Sequence, residues 1–142
     1  MYSGRLSTWV AAIATLAQIA NSQIVTITNG TVTGINDAVN NVQRFLGIPY
    51  AQPPVGNLRL HKSIPLNSSF GTLNATAFGP ACYGKSNPNP SEDCLTLNIW
   101  RPSDASTVND NKLLPVLVWF YGGGLTAGYT VSSRLDWGKN SY

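Results

Sequence analysis

Histidine is nearly missing from this chain: His61 is the only one, and it sits between Leu60 and Lys62 in a polar loop, where it reads as a solvated surface residue. With only two cysteines besides, no His/Cys cluster is available, and no metal is expected. Long apolar runs are missing too. The longest near the N-terminus, Trp9 to Ala17, is interrupted by Thr15 and falls well short of the ~20 residues that cross a bilayer, so stable membrane insertion is not expected. Basic clusters are also absent. The nine Lys and Arg residues are scattered, the formal charge of +3 forms no patch, and nucleic acid and acidic lipid are excluded as expected partners. No internal repeat occurs.

What is present is ordinary for a globular chain of 142 residues: 43% hydrophobic residues and a mean hydropathy near zero, enough for one small domain. Residues 1–22 combine Arg5 in a short basic head, the apolar run from Trp9, and the small residues Ala20 and Ser22. This pattern predicts a secretory signal peptide cleaved after Ala20 or Ser22, hence a secreted protein whose remaining part is 23–142. Three glycosylation triplets agree with export: Asn29-Gly30-Thr31, Asn67-Ser68-Ser69 and Asn74-Ala75-Thr76. Cys82 and Cys94 are an even pair closing a short loop rich in Gly, Pro and Asn, which predicts a disulfide in an oxidising compartment rather than a metal site.

Short, β-branched segments at Ile24–Ile27, Thr31–Ile35, Val42–Ile48, Cys94–Trp100 and Leu114–Tyr121 read as strands. Asn29-Gly30, Pro53-Pro54-Val55-Gly56, the stretch from Lys85 to Pro90 and the link from Pro102 to Asn111 read as loops. The last strand is different in kind. Val116 to Phe120 are apolar without alternation, the mark of a strand buried on both faces by covering helices. No convincing amphipathic helix follows the signal segment, so the chain alone is predicted to be poorly soluble or unfolded.

Three blocks carry a family resemblance: FLGIPYAQPPVGNLRL at Phe45–Leu60, SEDCLTLNIWRP at Ser91–Pro102 and PVLVWFYGGGLTAG at Pro115–Gly128. In this order they resemble the N-terminal portion of type-B carboxylesterases, which include fungal lipases and the cholinesterases. The resemblance implies an α/β fold, with this part mostly strand and loop, and hydrolysis of a small-molecule carboxylic ester by a Ser–His–Glu/Asp triad without a cofactor. Glycines at Gly122, Gly123 and Gly124 follow a strand, where they leave room for backbone N–H groups to face a developing negative charge. The family pattern assigns the oxyanion-hole donors to Gly123 and Gly124. It also implies an ion pair between Arg44 and Glu92 and a bridge from Cys82 to Cys94.

Other residues set limits. Tyr121, where many relatives have His, is expected to be structural, because backbone groups do the stabilising. Gly124-Leu125-Thr126-Ala127-Gly128 mimics a G-x-S-x-G elbow with Thr for Ser, but it belongs to the glycine loop, so Thr126 is expected to be a decoy. Nucleophile, acid and base are therefore missing from this chain, and alone it is predicted to be inactive. Tyr83 is the only aromatic residue between the cysteines, which disfavours choline esters. The tail from Thr130 to Tyr142 departs from the family pattern, and a fragment or mistaken gene model is the expectation. The competing reading is a non-catalytic esterase-like binding or adhesion module.

Overall fold

The computed structural model describes residues 22–85, 87–106 and 113–130. The expected signal peptide up to residue 21, part of the polar link (107–112) and the divergent tail from 131 lie outside the described residues. Among the described residues seven strands form: β1 (Ser22–Ile27), β2 (Gly30–Asp37), β3 (Val42–Pro49), β4 (Gly71–Asn74), β5 (Ala81–Cys82), β6 (Pro90–Ser91) and β7 (Thr96–Pro102). Two 3₁₀ turns, Gly56–Leu58 and Ser103–Ser106, complete the elements. The four predicted strands up to Trp100 therefore exist, the last displaced two residues toward the C-terminus. No α-helix occurs among the described residues.

β1, β2, β3 and β7 form one antiparallel path, and the turn at Asn29 sets the register Ile27 to Gly30 through Ser22 to Ile35. β4 was not legible in the sequence. It pairs parallel to β2 from Gly30/Gly71 to Thr33/Asn74, while β3 meets β2 only at Ile35–Asp37, so β3 and β4 share one edge of β2 end to end. Ala75, fully buried, ties this junction: its N–H donates to Thr33 O and its O accepts from Leu46 N, both at 2.8 Å.

A bulge then re-aims β3. Two residues, Leu46 and Gly47, stand against the single Asn98 of β7 between the pairs Phe45–Ile99 and Ile48–Leu97, so the inward positions change phase from Gln43 and Phe45 to Leu46 and Ile48. Gly47 makes this possible at φ 69°, with its N–H bonded to Asn98 Oδ1 at 2.8 Å. A Cβ there would lie 2.7 Å from Ala77 O, so both backbone angle and space demand glycine. Val32, Phe45, Ile48 and Ala75 form the core, with Val25, Phe70 and Leu73 packed against it. Gln43 is 2% exposed but satisfied, since Nε2 donates to Ser103 O (3.2 Å) and Oε1 accepts from Arg101 Nε (2.6 Å).

Two expectations are corrected. The Arg44–Glu92 pair does not form: Arg44 Nη2 lies 3.5 Å from Asp37 Oδ2, and Glu92 Oε1 lies 2.5 Å from Arg59 Nε. Register explains the first choice. Arg44 stands opposite Ile35, so Asp37 is its diagonal cross-strand neighbour, within reach of a long side chain. The strand expected at Leu114–Tyr121 pairs with no described strand, and Val116, Leu117, Val118 and Phe120 are 66–84% exposed. A strand apolar on both faces needs flanking strands and covering helices, and the described residues supply neither.

Asp37 also closes the β2–β3 turn, accepting from Asn40 Nδ2 at 2.9 Å and from Asn40 N at 3.2 Å. These bonds, the side-chain amide first and then the backbone N–H, hold its carboxyl below the usual range, with Arg44 adding attraction. A depressed folded value means that the stabilisation is complete above the unfolded value and is lost as pH falls through the folded one. In the full-length protein, melting temperature against pH should therefore fall more steeply for the wild type than for Asp37→Asn, and only below about pH 4. Parallel curves would contradict this role.

Candidate functional site

The glycine run lies in a loop that turns back on itself. Thr126 N and Ala127 N both donate to Gly123 O, at 3.2 and 3.1 Å. The two residues inside the first of these bonds, Gly124 and Leu125, have φ of 60° and 61°, the pattern of a type I′ turn. A bulky residue at positive φ costs roughly 1–2 kcal/mol, so Leu125 marks a strained backbone; its side chain stands fully in solvent. Gly123, at φ 146°, has no room for a side chain: a Cβ would lie 1.9 Å from Ala127 O. Gly122 and Gly124 have open space at the same position.

The chemistry available follows from the backbone. Gly122, Gly123 and Gly124 are exposed, and the N–H groups of Gly123 and Gly124 donate to nothing among the described residues. Two N–H groups left without partners on one exposed tight turn are suited to an anionic oxygen. The Tyr121 ring lies where a Cβ on Gly128 would meet it at 2.8 Å. Thr126 sits inside the turn, its Oγ1 3.4 Å from Gly123 O. His61 is an exposed residue just past the first 3₁₀ turn, its N–H bonded to Leu58 O at 3.2 Å.

A second loop meets the first. Cys82 and Cys94 are disulfide-bonded with Cα atoms 5.1 Å apart, and β5 and β6 pair parallel inside the closed loop. From this loop Lys85 N donates to Thr126 O at 2.9 Å. Asn87 Nδ2 donates twice, to Cys82 O at 2.9 Å and Gly128 O at 3.0 Å. Sequence reasoning treated the stretch from Lys85 to Pro90 as a connector and missed this. The only available signal was its place inside the cysteine loop, since contact with residues some 40 positions away has no local signature. An open groove of ≈ 370 Å³ lies beside the junction, lined by Phe78, Pro80, Pro88, Asn89 and Tyr129 among others.

The remaining candidates make no hydrogen bond to the glycine loop among the described residues. Arg44 and Glu92 belong to the separate ion pairs described above. Asn67 and Asn74 are exposed, whereas Asn29 is half-buried, with Nδ2 donating to Leu66 O and Ser68 O, both at 3.3 Å. No cluster of three or more potential metal ligands occurs among the described residues.

Residues 21–136 match the carboxylesterase family. Lipase 5 of Diutina rugosa is 35% identical over 143 residues, covering 82% of this chain and 25% of that protein. The cholinesterase of Mus musculus is 41% identical over 122 residues, covering 74% of this chain and 19% of that one. A solved PNB esterase superposes with a TM-score of 0.64 at 40% identity, over 75% of this chain and 21% of its own. The chain thus spans a quarter or less of the length of these relatives. Its strands and loops are an N-terminal sheet portion of the α/β-hydrolase fold. With most of its length matched by one family and its sheet superposing on a solved esterase, the chain belongs to the carboxylesterase family of hydrolases.

Proposed function

We propose that the whole protein is a secreted carboxylic-ester hydrolase acting through a Ser–His–Glu/Asp triad and an acyl-enzyme, to which this chain contributes the oxyanion hole. The carrying observation is the turn at Gly123–Thr126, whose exposed Gly123 and Gly124 have N–H groups without partners among the described residues. When serine attacks the ester carbonyl, the negative charge that develops on oxygen is stabilised by donors already in place, with no reorganisation cost. Breakdown of the acyl-enzyme by water passes through a second tetrahedral oxyanion, bound in the same hole.

None of the triad is supplied by this chain, whose one histidine is in the polar loop near Leu58. Alone it is therefore inactive, and the exposed Val116–Phe120 run makes residues 23–142 a poor independent domain. Calorimetry on that piece is expected to show no cooperative transition; a sharp one would refute this point. Tyr83 is the only aromatic side chain between the cysteines, which disfavours choline esters, and the short bridged loop leaves no room for a long amphipathic lid, which favours soluble or mid-length esters over long-chain fats. Sequencing the transcript beyond Tyr142 and assaying its product on short-chain nitrophenyl esters tests the whole reading. An in-frame Gly-x-Ser-x-Gly and hydrolysis are expected. Without either, the non-catalytic binding module takes its place.

Secretion carries its own consequence. Ser22 already pairs with Ile35, so cleavage after Ala20 leaves β1 whole. Asn67 and Asn74 are exposed, and the Asn67 side chain bonds through its Oδ1, which accepts from Gln52 Nε2 at 3.3 Å, but a glycan on Asn29 would leave its amide one N–H for two carbonyl partners. Peptide mapping of the secreted protein is expected to find sugar on Asn67 and Asn74 and none on Asn29.

A further inference from the structure

We propose that Asn87 is a positioning residue for the oxyanion loop, a role that rests on the function proposed above. Both hydrogens of its side-chain amide are committed, one to Cys82 O at 2.9 Å and one to Gly128 O at 3.0 Å. The first bond anchors it beside the disulfide, and the second reaches the far end of the glycine turn. Lys85 N adds a parallel tie to Thr126 O at 2.9 Å. Space at this seam is tight: a Cβ on Gly84 would lie 2.8 Å from Asn87 Nδ2 and 3.2 Å from Thr126 O.

The need for such a clamp follows from the loop itself. Its internal bonds all converge on Gly123 O, and it contains Leu125 at an unfavourable φ of 61°. A turn under that strain relaxes unless something outside it holds its exit. Asn87 is suited to this because a planar amide presents two donors in a fixed fork, so Gly128 is held at a set distance from the cross-linked Cys82. Movement of Gly128 would reach Gly122 directly, since a Cβ on Gly128 would lie 2.2 Å from Gly122 O. The aim of the Gly123 and Gly124 N–H groups is thereby coupled to a side chain that never touches substrate.

The test uses the product of the full transcript as wild type, Asn87→Asp and Asn87→Ala. Aspartate keeps the shape but turns both donors into acceptors facing carbonyl oxygens; alanine removes the fork without adding charge and serves if the aspartate variant fails to fold. Misplacing a catalytic group by about 1 Å costs roughly a hundredfold, so kcat on a nitrophenyl ester is expected to fall tenfold to a hundredfold, with KM within about twofold. Amide hydrogen exchange at Gly122–Gly128 is expected to rise at least about tenfold, while exchange in β2 and β3 stays unchanged. Unchanged kcat in a folded variant overturns the proposal, as does exchange that rises equally in the strands, the sign of general destabilisation. A wild type that does not hydrolyse esters refutes the proposed function instead, and the exchange comparison then decides the clamp by itself.

Discussion

Gly123→Ala is expected to abolish nearly all ester hydrolysis by the full-length protein, while Gly124→Ala reduces it by only about tenfold. The two glycines are adjacent and are proposed to share one role, yet their surroundings differ. A methyl group on Gly123 would sit 1.9 Å from Ala127 O, far inside contact distance and against backbone, so the turn must open. Opening it breaks the bonds from Thr126 N and Ala127 N to Gly123 O and turns both donors away from the oxyanion. Loss of a single such donor costs about 10²–10³-fold in kcat, and the Gly123 variant should lose at least that much. At Gly124 the added methyl meets nothing within 4 Å. The cost there is that of a non-glycine residue at φ 60°, roughly 1–2 kcal/mol, and a loss of about tenfold is expected. Steady-state kinetics of the two variants decide the point. Equal losses would mean that the clash is relieved elsewhere and that the turn is not the catalytic element.

Replacing both Cys82 and Cys94 with serine is the second large effect. The bridge closes a loop with a sequence separation of 12, for which the chain-entropy relation gives about 3 kcal/mol. Denaturant unfolding of the full-length protein should show that loss, and the wild type under reducing conditions should show the same. Catalysis should suffer beyond stability. Lys85 and Asn87 grip the glycine loop from within the bridged segment, so freeing that segment loosens the turn. A reduced protein that is still folded but has lost kcat is the expected result. Undiminished kcat in the folded serine variant would show that the loop holds its shape without the bridge.

Much of the sheet was legible because its determinants are local. β1, β2, β3 and β7 announce themselves through β-branched residues bounded by turn residues, and Asn29-Gly30 marks its hairpin without reference to anything distant. β4 was not legible. Gly71-Thr72-Leu73-Asn74 has little strand character and becomes a strand because β2 leaves half of one edge open. The Leu114–Tyr121 segment shows the converse: strand propensity without a described strand to pair with makes no ladder. The bulge at Gly47 was hidden for a similar reason, since the phase change it imposes is visible only against the register of β7.

The candidate site divides along the same line. Residue type alone determined that the run Gly122–Gly124 could expose N–H groups and that Cys82 and Cys94 could pair with each other, because each depends on covalent chemistry or steric bulk that a residue brings with it. Only the tertiary structure decided that Arg44 meets Asp37 and Arg59 meets Glu92, that Gly123 rather than Gly124 has no room for a side chain, and that Asn87 holds the far end of the loop. These are matters of distance between residues far apart in the chain, set by strand register and loop closure, and nothing in the local order of residues encodes them.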